Sequence, residues 1–249
     1  MDSVFRTDRG RIRAHNEDNG GVFVNTVNDC LAIVADGMGG HNAGDIASQI
    51  TIESMKSKWE TVKQIETPNQ AQEWLESAIY EVNQAIFAHS KGNEECSGMG
   101  TTLVAAICTT RFCTIANIGD SRCYLFNESG FNQVTEDHSL VNELVKSGEI
   151  TKEDAEHHPR KNVLTRALGT DSVVKADFKT ITFEEGDSLL LCSDGLSNKL
   201  TQQDIQQILQ ANLLLEEKAD AFVRVANENG GEDNITLIIL EHSAGLESG

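Results

Sequence analysis

Two long apolar runs in this chain stop at the same dipeptide, and that repeated ending constrains the fold more than any other feature. Leu31-Ala32-Ile33-Val34-Ala35 leads into Asp36-Gly37, and Leu189-Leu190-Leu191-Cys192-Ser193 leads into Asp194-Gly195. Uninterrupted apolar runs of this length read as strands covered on both faces. A third acid, Asp233, stands just before another such run over 235–240. A carboxylate at the mouth of a buried strand is costly unless it is paired or binds a cation. Asp-Gly is also a favoured hairpin turn, but neither pair leads into a return strand. Asp36 is followed by Gly37-Met38-Gly39-Gly40-His41-Asn42-Ala43-Gly44, and Asp194 by Gly195-Leu196-Ser197-Asn198, each running toward a helical pattern. Glycine at such a point lets backbone approach another group closely. Three acids in like contexts therefore predict one rim that gathers negative charge to hold metal. Hard oxygen ligands favour magnesium, manganese or calcium over zinc, and no dense run of acids at odd positions forms a calcium loop.

The rest of the pattern predicts what carries that rim. Strands are expected over 3–7, 21–27 and 30–35, then helices over 43–63 and 70–89. Ile46, Ile50 and Met55 mark the apolar face of the first helix; Trp74, Ile79, Val82 and Ile86 mark that of the second. Strands follow over 101–108, 112–118, 122–126 and 131–133, with short helices over 140–147 and 152–156. Strands over 176–182 and 188–192, two helices within 201–228 and a strand over 234–240 complete the chain. Helices fall in pairs between groups of strands, which argues against a doubly wound parallel sheet. The expected class is α+β, with two stacked antiparallel β-sheets and helices packed outside them. With 249 residues, only two prolines and no repeat or low-complexity segment, a single domain over 1–242 and a tail over 243–249 are expected.

Composition narrows the function classes. A net charge of −19 disfavours nucleic acid and anionic membrane as partners. No apolar stretch approaches the ~18 residues of a membrane span, and residues 1–13 carry charge without an apolar signal core, so a cytoplasmic protein is expected. The six cysteines, at 30, 96, 108, 113, 123 and 192, form no CxxC pair and are expected to be buried reduced thiols. Against the acidic background two basic clusters stand out: Arg6, Arg9, Arg11 and Arg13 near the start, and His157, His158, Arg160, Lys161 and Arg166 later.

Further polar segments interrupt the apolar pattern: Arg13…Asn16-Glu17-Asp18, Gly98-Met99-Gly100-Thr101-Thr102, Ile118-Gly119-Asp120-Ser121-Arg122 and Asp233-Asn234-Ile235-Thr236. With Ala35-Asp36-Gly37-Met38-Gly39-Gly40 and Ser193-Asp194-Gly195, they make six short motifs in the order found in the metal-dependent protein phosphatases of type 2C. From Val4 to Leu240 the chain resembles the compact bacterial serine/threonine form of that family. The resemblance implies a four-layer αββα sandwich. It also implies hydrolysis of phosphoserine and phosphothreonine in proteins at a binuclear centre of two manganese or magnesium ions, with a third, weaker ion as in many bacterial members. By position, Asp36 bridges both metals, the Gly37 carbonyl serves one, and Asp194 and Asp233 serve the other. Asp120 and Asp194 match the third site. Glu17 and Asp18 act on waters around the metals, and Arg13 grips the substrate phosphate. The segment over 137–168 matches a flap beside the site, whose basic cluster is expected to steer acidic or phosphorylated peptides. Implied partners are phosphorylated proteins and a serine/threonine protein kinase whose work the enzyme reverses, with the chain acting as a monomer.

One position departs from the animal members, which carry a histidine after the Asp-Gly thought to protonate the leaving group. Met38 stands there and has no proton to give. A water held by the metals and oriented by Asp18 is the expected donor. His41 is expected to serve the helix start instead. Other phosphatase chemistries lack their residues. No cysteine has an arginine six residues on, no Asp-x-Asp-x-Thr occurs, and Gly119-Asp120 is not followed by the second acid of calcineurin-type sites. A non-catalytic relative that binds phosphoproteins or senses metal should have lost one of Asp36, Asp194, Asp233 or Arg13, and all are present. A phosphatase specialised for a stress or sporulation regulator would share the chemistry and differ in partner.

Overall fold

The computed structural model describes residues 1–40 and 43–243. His41 lies outside the described residues. One sheet has the strand order β1 (Asp2–Asp8), β11 (Ile235–Glu241), β10 (Ser188–Cys192), β7 (Arg122–Asn127), β8 (Gly130–Gln133). The other runs β2 (Asp18–Val24), β3 (Cys30–Met38), β5 (Leu103–Cys108), β6 (Phe112–Ile118), β9 (Asp177–Thr182), with the short β4 (Gly100–Thr101) on the end of β3. All these pairings are antiparallel. Helices α1 (Ala43–Trp59) and α2 (Pro68–Gly92) cover the second sheet, and α6 (Gln202–Gln210) and α7 (Leu215–Glu228) cover the first. This is the expected four-layer αββα sandwich.

The strand alternation shows why the apolar runs have no polar breaks. On β3, Leu31, Ile33 and Ala35 face α1 and α2, while Cys30, Ala32 and Val34 face the other sheet. On β10, Leu189 and Leu191 fill the space between the sheets, and Leu190 and Cys192 pack under α6 and α7. Both faces are dry, so both must be apolar. Burying a side chain such as Leu191 fully is worth about 1.5–3 kcal/mol. Three apolar layers thus fix the register of the strands, and the register brings the polar strand ends together. Asp18 at the start of β2 stands opposite Asp36 near the end of β3, and Ser193 beyond β10 donates its N–H to the Thr236 carbonyl of β11 while its Oγ accepts from the Thr236 N–H.

Between β8 and β9 the chain carries α3 (Leu140–Lys146) and α4 (Lys152–Glu156), and α5 (Asp194–Ser197) begins at the second Asp-Gly acid. The α3–α4 excursion is closed at its base by bonds from Leu140 N–H to the Val163 carbonyl (2.8 Å) and from Thr165 N–H to the His138 carbonyl (2.8 Å).

Three expectations need correction. Helix α1 stops at Trp59, not 63, because the chain must leave the helix to bury Ile65, whose N–H donates to Asp29 Oδ2 at 2.9 Å. Strand β2 begins at Asp18, not 21. Cys108 and Cys113 face each other across the β5–β6 hairpin, with Cα atoms 4.2 Å apart, and are joined as a disulfide. They occupy a pair without mutual hydrogen bonds, where opposed residues come closest. The other four cysteines are free and buried, as expected. Among the described residues, no helix is long and apolar enough to cross a membrane.

Candidate active site

Five aspartates stand at one end of the sandwich, each at a strand terminus: Asp18 (β2), Asp36 (β3), Asp120 (after β6), Asp194 (after β10) and Asp233 (before β11). Asp18 is buried and the other four are half-buried. Burial pushes the Asp36 carboxyl well above the ordinary range, and the charges of Asp18, Asp194, Asp120 and Asp233 push it further. Burial likewise raises Asp18 to about 7, with Asp194 and Asp233 adding to the shift. Asp120 rises to about 7 through burial and the charges of Asp194 and Asp137, and Asp194 to about 6 through burial and Asp233. Asp36 therefore sits where the fields of all four others meet. Such a cluster is under electrostatic stress that bound cations relieve.

Backbone contacts hold the cluster in place. Thr102 N–H (2.9 Å) and Thr101 Oγ1 (2.9 Å) donate to the Asp36 carbonyl, while Asp36 N–H donates to Thr102 Oγ1 (3.0 Å). Gly37 N–H donates to the Glu17 carbonyl at 3.2 Å. A Cβ on Gly37 would collide with the carbonyls of Glu17 and Gly44, so only glycine lets α1 and the 13–17 loop close on this strand end. Gly195 is confined in the same way by the Asn234 carbonyl. Ser193 Oγ donates to Asp18 Oδ2 at 2.7 Å and accepts from Thr236 N–H at 3.0 Å.

The Arg13 loop is fastened by Asn234. Its Oδ1 accepts from Glu17 N–H (2.8 Å), and its Nδ2 donates to the Arg9 (2.8 Å) and His15 (3.0 Å) carbonyls. Arg13 Nη2 then lies 2.7 Å from Asp233 Oδ2, in an exposed ion pair. Glu17 is half-buried, and burial raises its pKa against the lowering effect of Arg13. Every site residue expected from sequence is thus gathered here: Arg13, Glu17, Asp18, Asp36, Gly37, Asp120, Asp194 and Asp233. Met38 ends β3, paired with Gly100.

Sequence reasoning gave no roles to Ser193, Thr102 and Asn234, although each lies inside a quoted motif. Their partners are 175, 66 and 217 residues away, so only the fold reveals them.

The donor set fits hard divalent cations. All five side chains offer carboxylate oxygens, and Asp18 Oδ1 is buried without any hydrogen-bond partner. Among the described residues, no three His, Cys, Asp or Glu side chains close into a ready-made cage. An open set suits magnesium or manganese, which keep several water ligands.

The sequence matches the family described as Protein phosphatase 2C over residues 9–231. It is 51% identical to the serine/threonine phosphatase stp of Listeria monocytogenes serotype 4b over 241 residues, covering 97% of this chain and 96% of that one. The fold superposes on the crystal structure of serine/threonine phosphatase Stp1 from Staphylococcus aureus with a TM-score of 0.93 at 38% identity, over 98% of this chain and 96% of that one. The catalytic domain of the serine/threonine protein phosphatase PstP, solved with two manganese ions, gives a TM-score of 0.85 at 32% identity over 98% of each chain. An aspartate cluster built on the ends of an αββα sandwich, with likeness of this extent in sequence and in fold, places the chain in the protein phosphatase 2C family.

Proposed function

We propose that this chain is a protein-serine/threonine phosphatase that removes phosphate from phosphoserine and phosphothreonine with two manganese or magnesium ions. The observation that carries the metal reading is the convergence on Asp36 of four other carboxylates, most of them held above their ordinary pKa by burial and mutual repulsion that Arg13 and Arg122 only partly offset. Asp36 would touch both ions, with the Gly37 carbonyl on one and Asp194 and Asp233 on the other. Asp120 and Asp194 would hold a third. When bound, such a pair of ions clamps phosphoryl oxygens and lowers the pKa of water to make a nucleophile.

The protein's own groups do the rest. Arg13 pairs with Asp233 only at the surface, a contact worth at most ~1 kcal/mol, so its guanidinium is free to exchange that carboxylate for a substrate phosphate. Asp18 has one oxygen held by Ser193 and the other unspent, which supports a role in orienting the water that protonates the leaving serine or threonine oxygen. Glu17, fixed through its N–H by Asn234, would order water on the Arg13 side. The flap over 137–168 carries exposed His157, Arg160 and Lys161. Glu232, beside Asp233, is held low mainly by its ion pair with Lys199. A serine/threonine protein kinase is the counterpart such chemistry requires.

Turnover of p-nitrophenyl phosphate and of a phosphothreonine peptide tests this reading. Both are expected to need manganese or magnesium and to stop in chelator. The double change Arg160→Ala and Lys161→Ala is expected to slow the peptide several-fold more than the small ester. Full turnover in chelator would reject the metal reading, and equal effects on both substrates would reject steering by the flap. For Arg13→Ala, the expected result is a KM about 10-fold higher or more. A charge-assisted hydrogen bond is worth ~1.5 kcal/mol or above, and 1.36 kcal/mol is tenfold. Unchanged KM and kcat would remove Arg13 from the phosphate site.

A further inference from the structure

His138 is buried, at 2% exposure, and engages both peptide groups of Gly119, the residue before Asp120. Its N–H donates to the Gly119 carbonyl at 2.8 Å, and its ring Nδ1 accepts from the Gly119 N–H at 3.1 Å. Gly119 sits at φ +98°, and a Cβ there would strike Thr102. The turn that presents Asp120 therefore has no side chain at its bend to stiffen it, and an imidazole 19 residues later does so instead.

Because Nδ1 accepts, the ring proton is on Nε2, which lies 3.1 Å from Asp177 Oδ2. Asp177 is held in turn by Arg166, whose Nη1 lies 2.7 Å from Oδ1. Asp177 begins β9 and Arg166 lies near the end of the flap segment. The Gly119 N–H at Nδ1 and the Asp177 carboxylate at Nε2 set the tautomer, while Arg166 Nη1, 3.2 Å from Nε2 and only a donor, serves by holding Asp177. The His138 carbonyl meanwhile accepts from Thr165 N–H at 2.8 Å, the bond that closes the flap's base. One residue thus ties three things: the Asp120 turn, the flap's two ends and the first strand residue after it.

We propose that His138 is a positioning residue for Asp120: its neutral, Nε2-protonated imidazole fixes the Gly119 peptide, and through it the direction in which Asp120 offers its carboxylate to a divalent cation. The inference rests on the reading of Asp120 as a ligand of the third, weakest metal. Histidine is suited to this because it supplies an acceptor toward Gly119 and a donor toward Asp177 on one rigid ring. An amide supplies only one of them at the matching position. Asparagine sets its oxygen near the place of Nδ1, and glutamine its nitrogen near the place of Nε2.

The two amides separate positioning from general support of the fold. Amide hydrogen exchange of the metal-free protein reads the Gly119 N–H directly, and calorimetric titration with Mn²⁺ reads the metal. His138→Gln is expected to speed Gly119 exchange about 10-fold and to weaken the weakest Mn²⁺ step about as much, the scale of one lost hydrogen bond in a buried setting. His138→Asn is expected to keep both within about 3-fold of the parent. Asp120→Ala, run alongside, is expected to remove that Mn²⁺ step. If Asp120→Ala removes it and His138→Gln leaves it unchanged, the positioning role alone is overturned. Equal losses in the Asn and Gln variants would also overturn it, since the acceptor would then not matter. If Asp120→Ala leaves all Mn²⁺ steps intact, the ligand reading of Asp120 fails first and takes this inference with it.

Discussion

Asp36→Asn is expected to lower phosphatase turnover by about 10³-fold or more and, in the same protein, to raise the melting temperature of the metal-free chain. The two effects have one cause. Asp36 stands where the charges of Asp18, Asp120, Asp194 and Asp233 converge, so without cations it is the carboxylate that the cluster tolerates least. On the proposed reading Asp36 is shared by two ions, and removing such a ligand forfeits several kcal/mol of transition-state stabilisation; each 1.36 kcal/mol is a factor of ten. Removing its charge from the metal-free protein relieves repulsion. For a domain of this size, about 1 kcal/mol moves the melting temperature by about 2–4 °C. The backbone contacts of Asp36 with Thr101 and Thr102 do not involve its side chain and should survive. Scanning calorimetry in chelator, beside turnover in manganese, checks both halves. A lower melting temperature in chelator would show that activity is lost through the fold, and the electrostatic account of the cluster would be wrong.

The sequence carries this site unusually far because both of its main devices are local. An apolar run covered on two faces and ended by Asp-Gly is visible in one stretch of chain, as at 31–37 and 189–195. Where local preference and tertiary demand disagree, sequence reading misplaces the boundary. Gly20 and Gly21 are poor strand formers and argue for a later start to β2. The strand begins at Asp18 all the same, and the glycines are bare because the rings of Phe5 and Phe23 lie on them. The helical pattern of α1 runs on past Trp59, but Ile65 and Asp29 need the chain elsewhere. The supports of the carboxylates were illegible for a different reason. Asn234 has no signature that points to Glu17, and Ser193 none that points to Asp18. Those bonds exist only because register brings distant strand ends to one rim. The Cys108–Cys113 pair is intermediate: the spacing of a tight hairpin was there to read, but nothing in it distinguished two opposed thiols from a disulfide.

The same electrostatic stress makes the metal-free protein lose stability as pH rises, which is opposite to the behaviour of a chain held by salt-bridged carboxylates. Asp18 and Asp120 are pushed up to about 7 and Asp194 to about 6, chiefly by burial and then by their acidic neighbours. In the unfolded chain these groups release their protons near pH 4. Between pH 4 and 7 the folded protein therefore binds more protons than the unfolded one, and stability falls as pH rises through that window. Below pH 4 this contribution is fully present. Divalent ions act in the reverse sense, because a carboxylate must give up its proton to bind one. Manganese is therefore expected to bind weakly at pH 6 with release of protons, and more tightly at pH 8 with little release. Titration calorimetry in two buffers of different ionisation enthalpy counts those protons, and melting curves with and without manganese follow the stability. The metal-free melting temperature is expected to fall from pH 5 to pH 8 while the gain from manganese grows. A manganese affinity that does not change with pH, or a metal-free protein that grows more stable toward pH 8, would mean that these aspartates are already paired and that the rim is not waiting for a cation.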